Sequence, residues 1–380
     1  MAETLRSPAT AGVDFPEGVP TLVDPLQDVT LRAHHSDDID DLIEQSRDPE
    51  MIRWTTVPTP EHGYGPAEAA EFLDLIASGW RDGSRLTWAI EAPRDGARRY
   101  CGGLDLRLAG DGSAEMGFGL HPGARGRSVM SSAVRLARDY AFDVLGLEVL
   151  RWRALVGNWG SRRVAAAVGF AYDGTVRRFL PNRGRLLDGW VATITRDDPR
   201  TALPWLAIPT VRGHRVVLRE FTEADLDRVV EACSDPRTRH WLVSLPEPYT
   251  ILNAVDYLDN IREQAARRSG LTWCIADADD DRCLGSVSLE GLDGYAKRPE
   301  IGYWAHPQAR GRGVVTEAVR LVTGYADEHR LADSILIRCA IGNLASRHVA
   351  EQAGYAQVGV LPACEPLGSG ELADLVLYSR

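Results

Sequence analysis

The most informative stretch of the sequence is His306-Pro307-Gln308-Ala309-Arg310-Gly311-Arg312-Gly313. An apolar segment with the composition of a strand precedes it, and apolar residues spaced as on one helix face follow it. The glycines therefore stand where a strand turns into a helix, and glycine leaves the main chain free to bend. A helix start adds unpaired N–H groups and the positive end of a dipole. The stretch predicts a backbone site for a phosphate group, with arginines at its rim.

The same pattern occurs earlier in the chain, as His121-Pro122-Gly123-Ala124-Arg125-Gly126-Arg127-Ser128. Aligned without gaps, residues 121–136 and 306–321 share His, Pro, Ala, Arg, Gly, Arg, Val and a later Ala-Val-Arg-Leu. The spacing between the copies is too long for a solenoid repeat and has the length of a whole domain. A chain of 380 residues also has room for two cores. We infer a tandem duplication.

The order of patterns along the chain predicts two α/β domains, each with a mixed sheet flanked by helices. Residues 1–26 are rich in Pro, Gly, Thr and acidic side chains, which is typical of a flexible leader. Three prolines between 196 and 210 indicate a linker. We therefore predict a leader at 1–26, an N-terminal domain at 27–197, a linker at 198–210 and a C-terminal domain at 211–380.

Composition limits the classes of function. The formal net charge of -11 argues against a nucleic-acid partner and mildly favours a cationic substrate such as an amine. No apolar run has membrane-spanning length and the start lacks a signal segment, so we expect a cytoplasmic protein without a membrane partner. The six cysteines form no C-x-x-C pair and the nine histidines no H-x-x-x-H pattern. Reduced thiols and no metal site are expected.

Residues 308–313 match the Q/R-x-x-G-x-G/A signature, and the sequence resembles the GNAT N-acetyltransferases. The segments Glu-Ile-Gly-Tyr-Trp at 300–304 and Asn-Leu-Ala-Ser-Arg at 343–347 are similar to the RimJ/RimL-like branch, which acetylates N-termini of ribosomal proteins and many small amines. The resemblance covers nearly all of both halves. It implies an α/β sandwich in which two central strands splay apart to admit acetyl-CoA. It also implies direct acetyl transfer, without a covalent enzyme intermediate.

The resemblance implies a cofactor site in each half. In the C-terminal half the implied acetyl-CoA ligands are Gln308, Arg310, Gly311, Arg312, Gly313, Val314 and Asn343, and in the N-terminal half they are Arg125, Gly126, Arg127, Ser128 and Asn158. In the first copy Gly123 replaces Gln308 and Ser128 replaces Gly313. A side chain at that second position hinders close approach of the main chain. We therefore expect the better acetyl-CoA site in the C-terminal half and a degenerate or specialised N-terminal half.

Acetyl transfer to an amine needs a base, because deprotonating a lysine-like amine at neutral pH costs about 4.6 kcal/mol. The resemblance makes Glu300 the candidate base and gives Glu115 the same place in the first half. A solvated carboxylate at the start of a strand is the alternative. Ser346 would lie near the sulfur and protonate the leaving thiolate, and Ser161 repeats that position. Asn343 would contact the pantetheine arm or cap a helix, and the two roles are compatible.

The aromatic and acidic positions leave alternatives open. Trp241 and Trp54 are candidates for lining the acceptor pocket, although a tryptophan more often lies in a core. Asp374 and Asp188 match an acidic position in the last strand of the family, and a structural role is equally compatible. The sequence does not identify the acceptor or the length of the acyl chain.

Two hypotheses of function follow. The first is an acetyl-CoA-dependent N-acetyltransferase with its main site in the C-terminal domain and a primary amine as acceptor, a small molecule being favoured over a protein N-terminus. The second is a non-catalytic module, in which one or both domains sense acyl-CoA or hold a partner. Tandem copies often replace a homodimer, so we expect a monomer with pseudo-dimeric halves.

Overall fold

The structure is a computed structural model and describes residues 18–380. It divides into two compact units, one ending at Leu203 and one comprising Pro204–Arg380. Each unit contains an eight-stranded sheet flanked by helices, so the predicted pair of α/β domains with mixed sheets is confirmed. Between residues 18 and 380, no helix combines the length and the hydropathy needed to cross a bilayer.

The N-terminal domain begins its sheet before the predicted domain start. Its elements in chain order are β1 (Leu22–Asp24), β2 (Val29–Arg32), α1 (Ile39–Arg47), α2 (Pro49–Trp54), α3 (Pro66–Asp82), β3 (Arg85–Arg94), β4 (Ala97–Leu108), β5 (Ser113–Leu120), α4 (Val129–Asp143), β6 (Val149–Leu155), α5 (Trp159–Ala167), β7 (Ala171–Asn182) and β8 (Arg185–Thr195). The strand order in the sheet is β1-β2-β3-β4-β5-β6-β8-β7.

The C-terminal domain repeats this order. Its elements are β9 (Val211–Arg212), β10 (Val216–Arg219), α6 (Leu226–Ser234), α7 (Pro236–Trp241), α8 (Ile251–Arg267), β11 (Gly270–Asp277), β12 (Cys283–Glu290), β13 (Glu300–Ala305), α9 (Val314–Glu328), β14 (Leu336–Ala340), α10 (Leu344–Gln352), β15 (Ala356–Pro366) and β16 (Leu372–Ser379). The strand order is β9-β10-β11-β12-β13-β14-β16-β15, which matches the first sheet position for position.

The central strands of each sheet splay apart. Strands β13 and β14 run parallel and pair only at Glu300 with Leu336. Strands β5 and β6 also run parallel and pair over four positions, from Ser113 with Val149 to Met116 with Trp152. The strands continue beyond these pairs, so a cleft with exposed main-chain groups opens at the end of each strand that leads into a glycine loop.

Helix α9 fixes one side of the cleft because its apolar stripe packs on the sheet. The buried side chains of this stripe follow helical spacing: Val314, Ala318, Val319, Val322 and Ala326. They belong to a core that also contains the fully buried Trp273 and Ile301. A separate apolar cluster on α6 and α8 contains Val229, Leu258 and Ile261. The start of α9 is therefore anchored by burial.

Part of the predicted leader belongs to the N-terminal fold. Strand β1 pairs antiparallel with β2, and the carbonyl of Pro20 accepts a hydrogen bond of 3.0 Å from the indole Nε1 of Trp88. Pro209 accepts the same bond, at 2.9 Å, from Trp273. A buried indole N–H needs an acceptor, and this need orders the segment before each domain. Of the predicted leader, residues 20–24 are thus attached to the N-terminal unit, and residues 1–17 lie outside the described part of the chain.

The predicted linker divides between the domains. The amide of Leu203 donates to the carbonyl of Ala166 at 2.8 Å, within the N-terminal unit. The amide of Leu206 donates to the carbonyl of Ala265 at 3.1 Å, within the C-terminal unit. The boundary between the two units, at Leu203 and Pro204, lies within the predicted linker of 198–210. Hydrogen bonds, which proline spacing does not reveal, attach each side to its own domain.

Candidate active site

The buried side chain of His306 holds the predicted cofactor loop of the C-terminal domain in place through hydrogen bonds. The residue is 3% exposed; its Nδ1 accepts from the amide of Gln308 at 3.2 Å, and its Nε2 lies 2.9 Å from Glu231 Oε2. Burial lowers the pKa of His306, although Glu231 opposes this effect. A neutral ring serves both contacts, because one nitrogen accepts and the other donates. His306 thereby shapes the turn that leads into the glycines.

The main chain of this loop forms a concave set of N–H groups. Gly311 and Gly313 have φ values of 73° and 74°, and Gly313 caps α9 in a left-handed conformation. The amides of residues 311–316 donate no hydrogen bond in the described structure, and the first helical bond runs from Glu317 to Gly313 at 3.1 Å. These free donors and the dipole of α9 fit a phosphate group. Val314 is buried, so only its amide can contribute.

The side chains of the loop are partly engaged. Arg310 Nη2 donates to Asp235 Oδ2 at 2.5 Å and to Thr238 Oγ1 at 2.8 Å, so this arginine fastens the loop to the start of α7. Gln308 Oε1 accepts from Arg228 at 3.1 Å. Arg312 is half exposed and lies 3.4 Å from Asp277. A cofactor role for Gln308, Arg310 and Arg312 stays a prediction, and Arg312 is the most accessible of them.

The N-terminal loop keeps the main-chain geometry of its counterpart. Gly126 has φ 74°, and Ser128 caps α4 with φ 58° and ψ 9°, a left-handed conformation that favours glycine. Arg125 pairs with Asp48, and Arg127 donates to the carbonyl of Pro93 at 2.7 Å. Ser128 therefore preserves the bend at a conformational cost, and both arginines are held by protein groups.

Glu300 lies in an acidic environment with one basic partner. Its carboxylate accepts from Arg338 Nε at 2.6 Å, and its neighbour across the antiparallel pair is Glu290. Burial raises the pKa of Glu300; Arg338 opposes the rise, whereas Glu290 and Glu365 add to it. A carboxylate with a raised pKa is a better proton acceptor near neutral pH than an ordinary surface glutamate.

Glu115 occupies the equivalent place but has a different charge environment. Arg107 and Arg153 both form salt bridges with it. Arg107 is its cross-strand neighbour, at the place where the C-terminal domain has Glu290. Sequence analysis made Glu300 the candidate base and gave Glu115 the same place in the first half; the structure shows that their charged neighbours differ.

Ser346 forms a hydrogen-bonded pair with Tyr303, a residue that sequence analysis quoted but did not select. Tyr303 Oη lies 3.0 Å from both the hydroxyl and the carbonyl oxygen of Ser346. Burial raises the pKa of Tyr303 far above its usual range, so the phenol stays protonated. The signal that could have identified it was the alignment of the two halves, in which Tyr303 corresponds to Phe118.

The corresponding serine of the N-terminal domain has another partner. Ser161 Oγ accepts from the indole Nε1 of Trp152 at 3.0 Å. Phe118 supplies no hydroxyl at the position of Tyr303. The N-terminal domain therefore lacks the tyrosine–serine pair that is present in the C-terminal domain.

The two asparagines cap helices. Asn343 Oδ1 accepts from the amide of Ser346 at 3.2 Å, and Asn158 Oδ1 accepts from Ser161 at 3.1 Å. The capping role is thus observed, and each Nδ2 group is left for the predicted pantetheine contact. Asp374 Oδ1 accepts from the amide of Ala363 at 2.9 Å, which supports the structural alternative for this residue.

Both candidate pocket tryptophans pack beside these caps. A Cβ added to Gly342 would lie 3.7 Å from the ring of Trp241, and one added to Gly157 would lie 3.1 Å from the ring of Trp54. The tryptophans are half buried, and each stands against the glycine that precedes the capping asparagine. They are thus placed near the cleft, and acceptor binding by them stays a prediction.

A cavity of about 640 Å³ lies between α8 and strands β11 to β13 of the C-terminal domain. Apolar and polar groups both line it, and the lining residues include Asn260, Gln264, Thr272, Ser286, Ser288 and Glu290, together with Tyr303 and Trp304 of β13. The volume is in the range typical of small-molecule sites. Glu290 and Tyr303 both line the cavity. The cavity therefore extends to the neighbour of the candidate base, which is Glu290, and to the hydrogen-bond partner of the serine, which is Tyr303.

Groups able to ligate metal do occur, but they serve other contacts. Asp225, Cys274 and Cys283 converge in the buried interior of the C-terminal domain. Both oxygens of Asp225 already accept from Arg219, at 2.8 and 2.9 Å. In a second group, Asp41 forms a salt bridge of 2.5 Å with Arg94. Neither group adjoins the predicted cofactor loop and Glu300 together.

Comparison with known proteins gives two matches to one family model. The acetyltransferase (GNAT) domain matches residues 28–171 and again residues 215–356. The Bacillus subtilis protein YdaF, named as a ribosomal N-acetyltransferase, is 30% identical over 174 residues, which are 44% of this chain and 91% of YdaF. The ribosomal-protein-serine acetyltransferase of Escherichia coli is 30% identical over 102 residues, which are 27% of this chain and 56% of that protein.

The chain is also similar to solved structures. Mycobacterium smegmatis RimJ, solved with a CoA disulfide, is 22% identical, with a TM-score of 0.43; the match covers 50% of this chain and 93% of that one.

Proposed function

The chain belongs to the acetyltransferase (GNAT) domain family, and on that premise we propose that its C-terminal domain transfers an acetyl group from acetyl-CoA to a primary amine. The observation that carries the proposal is the difference between the two halves. Within residues 18–380, the C-terminal half has Glu300, whose pKa is raised, and Ser346 paired with Tyr303, whereas the N-terminal half has Glu115 paired with two arginines and Phe118 at the position of the tyrosine. The groups of the C-terminal half are the base and the proton donor that amine acetylation requires.

The unpaired amides of residues 311–316 fit the pyrophosphate of CoA. They form a cradle of donors at the start of a fifteen-residue helix, and the space beside Gly311 is open, since a Cβ there would meet no atom within 4 Å. Asn343 Nδ2 is available to the pantetheine arm. When bound, acetyl-CoA supplies the thioester carbonyl that is attacked and the thiolate that leaves.

Glu300 prepares the nucleophile. It takes a proton from the incoming ammonium group and leaves a neutral amine to attack. Its raised pKa reduces the free energy of about 4.6 kcal/mol needed to deprotonate a lysine-like amine at neutral pH. Arg338 keeps the carboxylate oriented through its bond of 2.6 Å. Without that arginine, burial and the neighbouring acids would protonate Glu300 too readily for it to act as a base.

Ser346 and Tyr303 provide the proton for the departing sulfur. The serine hydroxyl donates to the thiolate, and the tyrosine hydroxyl, 3.0 Å away, returns a proton to the serine. The buried phenol remains protonated until that step because burial raises its pKa. In forming the amide, the nitrogen loses two protons: Glu300 takes the first, and the second replaces the proton that the Ser346–Tyr303 pair gives to the sulfur, so protons and charges balance.

A small-molecule amine is the favoured acceptor. The cavity beside Glu290 and Tyr303 has a volume of about 640 Å³, which suits a small ligand, and the net charge of -11 favours an approaching cation. A protein N-terminus is the alternative, because two relatives are named for acetylation of ribosomal proteins. Its α-amino group costs only about 1 kcal/mol to deprotonate, so it depends less on a strong base.

For the N-terminal domain we propose a second function, binding of acyl-CoA without catalysis. Its loop retains the left-handed bends at Gly126 and Ser128, but Glu115 is paired with two arginines and Phe118 replaces the tyrosine. A domain with the anion cradle and without the proton-transfer groups is expected to hold the cofactor without turning it over.

Calorimetric titration of acetyl-CoA tests both proposals. Gly311→Asp and Gly126→Asp each place a carboxylate in one cradle, and Gly311→Asn and Gly126→Asn are matched controls with the same backbone demand and no charge. We expect two binding sites, each lost with its own Asp variant, and CoA release from acetyl-CoA to stop only with Gly311→Asp. Absence of binding, or turnover that depends on Gly126 instead, would refute the assignment of the domains.

A further inference from the structure

One end of the cavity in the C-terminal domain, at Glu290 and Gln264, lies beside the candidate base Glu300 and is called the acidic corner. Ser286, Ser288 and Glu290 alternate along β12, so their side chains share the face that lines the cavity. Glu290 pairs across the antiparallel strands with Glu300, so the two carboxylates begin from neighbouring backbone positions. The corner is therefore part of the space in which an acceptor amine would react.

The corner offers hydrogen-bond acceptors that lack a cationic partner. In the described part of the chain, Glu290 forms no salt bridge and accepts only from Ser288 Oγ, at 2.8 Å. Gln264 Oε1 is buried and has no hydrogen-bond partner. A Cβ placed on Gly270 would lie 3.4 Å from that oxygen and 3.5 Å from the Cα of Glu290, so the two residues are neighbours. A buried amide oxygen without a donor is costly unless a ligand satisfies it.

The one arginine of the cavity lining is already neutralised. Arg267 forms a bond of 2.7 Å with Glu263, four residues earlier on α8. Among the described residues that line the cavity, the carboxylate without a basic partner is that of Glu290; its cross-strand neighbour Glu300 is paired with Arg338. A ligand that brings only donors to this corner would satisfy both Gln264 and Glu290.

The N-terminal domain has a residue of opposite charge at the position of Glu290. Arg107 is the cross-strand neighbour of Glu115, as Glu290 is of Glu300. Helices α3 and α8 are both seventeen residues long, so they can be compared position by position. Gly79 of α3 then corresponds to Gln264 of α8. The acidic corner is thus specific to the domain to which we assign catalysis.

We propose that the acceptor carries a second ammonium group, which binds Glu290 and Gln264 while the first is acetylated beside Glu300. This inference rests on the proposed function. An ammonium group has three donors and no acceptor, which matches the corner. Paired residues of antiparallel strands have Cα atoms about 4.5–5.5 Å apart, so the two nitrogens are separated by a short alkyl chain. The acceptor class is a short aliphatic diamine.

Steady-state acetylation of 1,4-diaminobutane and of butylamine tests this class, since the two differ only in the second amino group. We expect kcat/KM to be at least tenfold higher for the diamine. Glu290→Gln, which removes the charge and keeps the shape, should abolish this preference, so that kcat/KM for the two amines differs by less than threefold in the variant. Glu290→Arg, which copies Arg107, should favour butylamine over the diamine. Glu371→Gln, an exposed acid outside the cavity lining, is the matched control and should change neither value.

The outcomes separate this inference from the function on which it rests. Equal kcat/KM for both amines, or a preference that survives Glu290→Gln, overturns the diamine assignment and leaves the acetyltransferase intact. If CoA binds but neither amine nor a broader amine panel is acetylated, the proposed function fails. Titration of 1,4-diaminobutane into the CoA-loaded protein and its Glu290→Gln variant then decides whether the corner binds a diamine; equal affinity for both proteins overturns the inference.

Discussion

Replacing Tyr303 by Phe removes one hydroxyl and gives the C-terminal domain the residue that its sister domain has at this position. Tyr303 Oη has two contacts, with the hydroxyl and the carbonyl oxygen of Ser346, both at 3.0 Å. The ring packs against the core of the domain, and phenylalanine keeps that packing. The substitution therefore tests the proton supply with little change of shape.

The expected magnitude follows from these contacts. Loss of one buried hydrogen bond should cost about 1 kcal/mol of folding free energy, which a domain can tolerate. A positioned proton donor contributes about 10²–10⁴ in rate. Because Ser346 keeps its own hydroxyl, we expect the low end, a fall in kcat of about 100-fold, or roughly 2.7 kcal/mol in the activation barrier. The affinity for acetyl-CoA should change less than about threefold, since the amide cradle is untouched.

The assay is CoA release from acetyl-CoA at saturating amine, with calorimetry for cofactor affinity. Ser346→Ala should lower kcat at least as much, and the double variant should add little, because residues that act as one unit are not additive. Phe118→Tyr is the reciprocal control in the N-terminal domain and should leave kcat unchanged. A Tyr303→Phe enzyme whose kcat stays within threefold of the original would refute the role of the pair.

Two further predictions concern the base and the loop. Arg338→Met removes the charge that opposes the raised pKa of Glu300, so this pKa should rise further. The acidic limb of the pH profile of kcat/KM should then move to higher pH by about one unit or more. An unmoved limb would mean that Glu300 is not the base. Gly313→Ala should destabilise the C-terminal domain by about 1–2 kcal/mol, since φ is 74° and the new Cβ would lie 3.0 Å from Arg215. Gly324→Ala in the same helix is the control and should be neutral or stabilising. Thermal unfolding compares the two variants, and equal effects would contradict the need for a left-handed backbone at Gly313.

The repeated loop was the part of the fold that could be predicted best. A glycine pair between an apolar strand and a helical stripe is a local pattern, and each copy appears in the structure as strand, loop and helix. The domain edges were predicted less well, because Pro20 and Pro209 are ordered by tryptophans 68 and 64 residues away. Such long-range hydrogen bonds leave no periodic signal.

The candidate site shows the same division. Glu300, Ser346 and the glycines were selected from motifs, which specify residue type and spacing. Tyr303 was missed because its importance lies in a contact across 43 residues, with the serine that starts another helix. The two arginines beside Glu115 escaped notice for the same reason: they come from the neighbouring strands on either side.

By itself, the sequence determined that this chain is a duplicated α/β protein with a glycine-containing bend between a strand and a helix in each half. Glycine placement, apolar periodicity and helix starts are consequences of local backbone geometry. Only the tertiary structure showed which charges lie beside each candidate carboxylate, because the sheet brings these neighbours from other strands. Glu290 and Arg107 occupy equivalent places in the two sheets, and their opposite charges give the two glutamates different environments.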